Sequence, residues 1–162
     1  MEIKKRLDFR IVMASLYIFA FLVYLLVGFM PAEAANYEIS GKLLIPNAKI
    51  YSDVTTLSLE NNELKTPDTI VGSFSRAENK TLLIGHSSTA FLNLHLAKIG
   101  DRVYYNKSIY YIHNKYTLDK AKVDMGDILR RAEKDTLILM TCAGESIGET
   151  DATKRLIIEA SI

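Results

Sequence analysis

A second cysteine, an excess of charge of either sign, internal repeats and low-complexity tracts are all missing from this 162-residue sequence. With Cys142 the only cysteine, a disulfide within the chain is excluded. The 20 lysines and arginines are balanced by 19 aspartates and glutamates, leaving a net charge of +1. That near-neutrality removes the broad basic surface on which nucleic-acid binding by counterion release depends. The three histidines are scattered, without the close ligand spacing of a structural zinc site, so neither a metal centre nor a cofactor is expected. At 49% hydrophobic and 24% charged residues, the chain is too apolar to be disordered, and its length fits one compact domain with an appendage.

The appendage is at the N-terminus. Lys4, Lys5, Arg6 and Arg10 outnumber Glu2 and Asp8 in a short basic segment, 1–10, and residues 11–30 then run twenty positions without a charge. As a helix rising about 1.5 Å per residue, that run reaches about 30 Å, the thickness of a bilayer's hydrocarbon core. It is expected to be a transmembrane signal-anchor, with a cytoplasmic N-terminus and an extracellular remainder. A cleaved signal peptide is the competing reading, because Ala32-Glu33-Ala34 before Ala35 resembles a small-residue cleavage site. Residues 31–38 read as a linker, and 39–162 as the folded domain.

Beyond the linker the pattern is one of strands, predicted at 39–45, 48–51, 81–84, 102–105, 108–118, 137–142 and 156–160. Asn106-Lys107 lies between two of these runs as a hairpin turn. Two short helical stretches stand out, 91–98 with Phe91, Leu94 and Ala97 on one face, and 125–133 with Met125, Ile128 and Leu129 together. Many short strands in so small a domain favour an all-β closed barrel, which hides its sheet edges.

The chemistry-bearing residues lie where these strands end. His86 follows Leu82-Leu83-Ile84 and Gly85 and precedes the polar Ser87-Ser88-Thr89, a position from which a scaffold presents a reactive side chain. His95 and His113 read as structural or surface histidines. Cys142 ends the apolar run Leu137-Ile138-Leu139-Met140-Thr141, and Arg155 begins the last strand. A lone cysteine is often a small buried hydrophobe or half of an intermolecular disulfide. It becomes a nucleophile where a base and a positive charge come within reach, and neighbouring strand ends could bring His86 and Arg155 there.

Ile-Gly-His at 84–86, Phe91 and Leu94, Gly100-Asp101, Leu-Met-Thr-Cys at 139–142 and Arg155-Leu-Ile-Ile-Glu-Ala together resemble the sortases, bacterial cysteine transpeptidases. The resemblance spans 39–162. It departs from the family signature at Ile138, where a threonine is usual, and in the turns before His86. It implies a closed eight-stranded barrel with short helices, here preceded by the transmembrane helix at 11–30. It implies Cys142 as nucleophile, His86 as acid and base, and Arg155 as the oxyanion or substrate-positioning group.

The implied reaction cleaves a sorting signal like Leu-Pro-X-Thr-Gly at the Thr-Gly bond through a thioester, then passes the acyl group to an amine of a cell-wall precursor or pilin lysine. The whole would be a membrane-anchored enzyme that fixes proteins to the cell surface. The early end of the chain and the short 119–135 segment are more like the compact anchoring sortases than the pilus-building or haem-protein-anchoring ones. Glu60, Glu63, Asp119, Asp124 and Asp127 could correspond to the calcium site of some sortases, but scattered loop carboxylates are usually solvated. The alternative from another class is an exported, anchored barrel that binds a peptide or wall component, with Cys142 only packing.

Overall fold

Period-two alternation of apolar residues builds the domain. The structure, a computed structural model, describes residues 37–61, 63–147 and 151–162. These fall within one unit, Tyr37–Ile162. Its strands are β1 (Ile39–Ile45), β2 (Ile50–Thr56), β3 (Leu59–Glu60), β4 (Glu63–Leu64), β5 (Val71–Ala77), β6 (Lys80–Ile84), β7 (Arg102–Tyr105), β8 (Ser108–Asp119), β9 (Thr136–Ser146) and β10 (Ala152–Ser161). Eight close into a barrel in the order β1-β2-β5-β6-β9-β10-β8-β7, while β3 and β4 form a separate two-stranded ribbon. Closure satisfies every strand edge of the main sheet. The pairs β2–β5 and β6–β9 are parallel, and the others in the barrel are antiparallel.

One face of each strand fills the barrel. Leu43, Ile45, Leu83, Leu137, Leu139 and Ile158 belong to an interior cluster closed over by Phe91 and Leu94. The opposite face of β6, β9 and β10 is apolar too, and Leu82, Ile138, Met140 and Ile157 make a second cluster roofed by Ile128. Ile138, the departure from the family signature, is 2% exposed in this outer cluster, so the change there is one of packing. Residues with both neighbouring strands and both faces covered give the near-continuous apolar run seen at 137–141.

Turn chemistry agrees with the pattern. Asn106 and Lys107 both have positive φ, 45° and 69°, in the tight turn where Tyr105 pairs with Ser108, as a twist-matched two-residue hairpin requires. Gly100 has φ 91°, and Asp101 beside it is buried, accepting hydrogen bonds from Asn47 Nδ2 (2.6 Å) and the Lys98 N–H (2.8 Å). The Gly-Asp pair thus ties the start of β7 to the loop after β1.

Several expectations are corrected. The segment expected as a helix over 91–98 is a series of turns ending in a 3-10 turn at Leu94–Leu96, and the expected helix over 125–133 is limited to Met125–Ile128. Strand β9 continues four residues past Cys142, and β10 begins three residues before Arg155, so neither residue stands at a strand end. The ribbon β3–β4 and strand β5 were not expected; the small and polar Gly72, Ser73 and Ser75 hide the β5 pattern.

The transmembrane helix expected before the barrel is the largest correction. No helix among the described residues is long and apolar enough to cross a membrane. The described α-helix, Met125–Ile128, has four residues, which at 1.5 Å each covers about 6 Å of the ~30 Å required. Residues 11–30, on which the expectation rested, lie outside the described residues. The anchoring helix, the membrane contact through 11–30, the single-pass cell-membrane location with an extracellular domain, and the description of the enzyme as membrane-anchored are therefore not carried into the architecture.

Leu139 is fully buried inside the barrel. Leu139→Ala should destabilise the domain by about 2–5 kcal/mol, read from the midpoint of urea unfolding at unchanged slope. A loss below about 1 kcal/mol would mean the barrel collapses around the gap or is packed otherwise.

Candidate active site

Strand phase decides which residues share a surface. On β9, Leu137 and Leu139 point into the barrel while Ile138 and Met140 point out, so Cys142 continues the outer row. On β10, Leu156 and Ile158 are inside and Ile157 outside, which puts Arg155 in the outer row as well. The two strands pair with Arg155 directly opposite Cys142. Such cross-strand neighbours have Cβ atoms about 4.5–5.5 Å apart. On β6, Leu83 is inside and Leu82 outside, and the parallel pairing of Ile84 with Met140 brings the chain after β6 alongside Cys142. His86, two residues beyond Ile84, keeps the outer phase.

Hydrogen bonds carry this alignment past the end of β6. The Gly85 N–H donates to the Met140 carbonyl at 3.4 Å, and the buried Thr141 hydroxyl donates to the Gly85 carbonyl at 2.7 Å. A side chain at Gly85 would meet the Phe91 ring at 2.9 Å, so the residue before His86 is pressed against the core cap. Just after Cys142 the register of β9 and β10 shifts, and Gly144 there has φ 80° with Thr153 Oγ1 2.7 Å from the position a Cβ would take. A bulge of this kind re-aims side chains beside a site.

All three residues line one cavity of about 490 Å³ on the outer face. Its floor is Phe74, Ile84 and Met140; the β3–β4 ribbon supplies Leu59 and Leu64 on one side, and Met125 and Leu129 stand on the other. His86 and Cys142 also border a second, more polar cleft of about 340 Å³ with Ser87, Ser88 and Asp151. The cysteine and histidine therefore sit between an apolar groove and a polar one. Cys142 is half-buried, and the side chains of His86 and Arg155 are 18% and 16% exposed.

Arg155 is held by a network absent from the sequence reading. Its Nη2 donates to Asp151 Oδ1 at 2.7 Å, and its Nη1 donates to the carbonyls of Ala152 (2.9 Å) and Lys154 (3.0 Å). Three of the guanidinium's five N–H donors are thereby committed, which fixes the plane of the fork. Lys120 pairs with the other oxygen of Asp151, so the group of three keeps one net positive charge beside Cys142. Hydrogen bonds from Lys120 and Arg155, together with the Ala152 N–H, hold the Asp151 carboxyl well below the usual carboxylate range. Asp68, itself exposed, lies 4.0 Å from His86 Nε2, and its carbonyl accepts from the Thr89 hydroxyl.

The other candidates separate from the site. His113 is exposed on β8, and His95 is exposed with Nδ1 3.1 Å from the Leu92 carbonyl, although it borders the polar cleft. Among the described residues no group of three or more metal-ligating side chains converges. The acidic residues considered for calcium are engaged locally: Asp119 with Lys122 at 2.9 Å, Asp127 with Arg130, and Asp124 capping the Gly126 N–H at 2.7 Å. Glu60 and Glu63 face each other across the β3–β4 ribbon.

A closed barrel carrying cysteine, histidine and arginine in one outer groove defines a class of thiol-centred barrels, and comparison with known proteins narrows it. A model of the sortase domain matches residues 43–162. The fold is similar to sortase A of Listeria monocytogenes, with 18% identity and a TM-score of 0.57 over 76% of this chain and 86% of that one. It is similar to a lid mutant of sortase A from Corynebacterium diphtheriae, with 18% identity and a TM-score of 0.61 over 80% and 72%. Sortase C1 of Streptococcus agalactiae gives 20% identity and a TM-score of 0.60 over 80% and 73%. No curated protein sequence matches the chain. The chain belongs to the sortase family and is by that membership a cysteine-type enzyme.

The Asp151 network predicts a pH signature. A carboxyl whose folded value is depressed contributes stability that is present above its ordinary value, 3.8, and lost as pH falls through the folded one. Asp151→Asn should therefore lower the melting temperature at neutral pH, with the gap to wild type narrowing as pH drops below 3.8. A gap that stays constant from pH 7 to pH 3 would assign the effect to something other than ionisation.

Proposed function

We propose that the domain spanning 39–162 is a transpeptidase in which Cys142 is the nucleophile, His86 the acid and base, and Arg155 the oxyanion or substrate-positioning group. The observation that carries this reading is the convergence of the three, with Arg155 opposite Cys142 on β10 and β9 and His86 two residues past the end of β6, at the junction of an apolar and a polar groove. A barrel that used Cys142 only for packing would have no reason to gather a histidine and a tethered arginine around a half-buried thiol.

The chemistry follows from the groups. The Cys142 thiolate attacks the carbonyl of a peptide lying in the apolar groove, whose lining suits a leucine and proline such as those of a Leu-Pro-X-Thr-Gly-like signal. As the tetrahedral adduct collapses to a thioester, the C–N bond breaks and His86 gives its proton to the leaving amine. An acceptor amine entering from the polar cleft attacks the thioester, and its proton returns to His86 while the thiolate departs. The Arg155 guanidinium, charged at every relevant pH, steadies the oxyanion of both adducts.

Mass spectrometry of the protein mixed with a Leu-Pro-X-Thr-Gly peptide should find an acyl adduct on Cys142. Cys142→Ala and His86→Ala should each abolish turnover while the circular-dichroism melt stays close to wild type; turnover retained by Cys142→Ala would sink the reading. Arg155→Ala should reduce turnover by about 10²- to 10³-fold, the usual effect of deleting one oxyanion donor. Arg155→Lys should recover little of this, because it restores the charge without the fork. Near wild-type turnover in Arg155→Ala would take Arg155 out of the site.

A further inference from the structure

The apolar groove has a cationic far end. Arg76 lies on β5, two residues past Phe74, and lines the groove that Cys142, His86 and Arg155 also line. No aspartate or glutamate lines this groove, and no ion pair of Arg76 is found among the described residues. The nearest ribbon carboxylates in sequence, Glu60 and Glu63, are exposed. An arginine that lines such a trough, away from the Cys142 end and without a protein carboxylate among the described lining residues, is complementary to a carboxylate on whatever fills the trough.

Register gives the distance. Arg76 sits at the irregularity between Ser75 and Ala77, which pair with Thr81 and Lys80 of β6, and those pair with Leu137 and Thr136 of β9. Cys142 is thus five to six positions further along β9, or about 17–20 Å at the usual strand rise, and β5 lies two strands, about 10 Å, to the side, which makes the backbone separation about 20–22 Å. The long arginine side chain covers part of that span, so an extended peptide joined to Cys142 reaches the guanidinium with about four to five residues.

We propose that the enzyme selects peptides carrying an acidic residue about four to five positions N-terminal to the scissile bond, read by Arg76. In a Leu-Pro-X-Thr-Gly-like signal this is the leucine position or the residue just before it; the leucine belongs to the apolar floor, which leaves the residue before it for Arg76. The inference rests on the reading of Cys142 as the nucleophile of a peptide transfer. Arg76 touches substrate without taking part in bond making, so it sets specificity and not the chemical step.

The test uses the full chain and three peptides that differ only in that preceding residue: glutamate, glutamine or lysine. Rates of thioester formation on Cys142 at limiting peptide should rank glutamate first and lysine last, with about two- to fivefold steps, the scale of a partly exposed ion pair. The spread should shrink as salt is raised. Arg76→Glu should invert the order and Arg76→Gln should flatten it, with melts recorded to show that each variant is folded. The salt response of the wild type tests the same point without any variant. Equal rates for all three peptides in the wild type, or an order unchanged in Arg76→Glu, would overturn the role of Arg76 while leaving the thioester chemistry standing. No adduct from any of the three would overturn both.

Discussion

The pairing of Arg155 with Cys142 across β9 and β10 is the constraint on which the rest of the site depends. A slip of one residue would turn one of the two into the barrel interior, because side chains alternate with a period of two. Register is held by the burial on both sides of these strands: Leu137, Leu139, Leu156 and Ile158 inside, Ile138, Met140 and Ile157 outside. Slipping would cost not one contact but both apolar clusters at once. The outer row that carries Cys142 and Arg155 is therefore specified by the hydrophobic packing of the residues that flank them on the same two strands.

The same double burial explains why the groove is on the barrel's outer face. The interior is filled by one buried cluster that includes Phe91 and Leu94. Outside, the short Met125–Ile128 helix covers only the lower part of the apolar surface on β6, β9 and β10. The remainder, toward Cys142, is lined by Ile84 and Met140 and left open between the helix and the β3–β4 ribbon. The peptide proposed to lie there would finish the packing that the chain itself leaves incomplete.

What could be read from the sequence was what local pattern encodes. The apolar runs before His86 and Cys142, the Asn106-Lys107 turn and the Leu-Met-Thr-Cys motif are contiguous, and they led to the barrel, the family and the three residues that the groove brings together. Strand β5 was missed because Gly72, Ser73 and Ser75 supply little apolar signal, although Val71 and Phe74 keep the phase. The end of β9 was placed too early because the strand becomes exposed beyond Ala143 and loses its hydrophobic pattern while keeping its hydrogen bonds. Asp151 was invisible for a different reason: it is engaged by Lys120 on another element and by Arg155 four residues on, and nothing in its neighbouring residues announces this. Arg76 likewise joins the groove only through the fold. The apolar run at 11–30 gave the strongest local signal in the sequence, and it lies outside the described residues.

Electrostatics then separates the tasks of the two arginines. Arg155 is tied to Asp151 and to two carbonyls of its own strand, so the orientation that the proposed oxyanion role requires is already set. Sharing Asp151 with Lys120 keeps that tether from cancelling the positive charge. Arg76 is exposed and lacks such a tether, which leaves it free to follow a side chain that varies between substrates. A tethered cation suits a fixed atom of the proposed reaction, and an untethered one suits the proposed sequence preference, so the two arginines differ in tethering in the direction that the proposed transfer and selection respectively require.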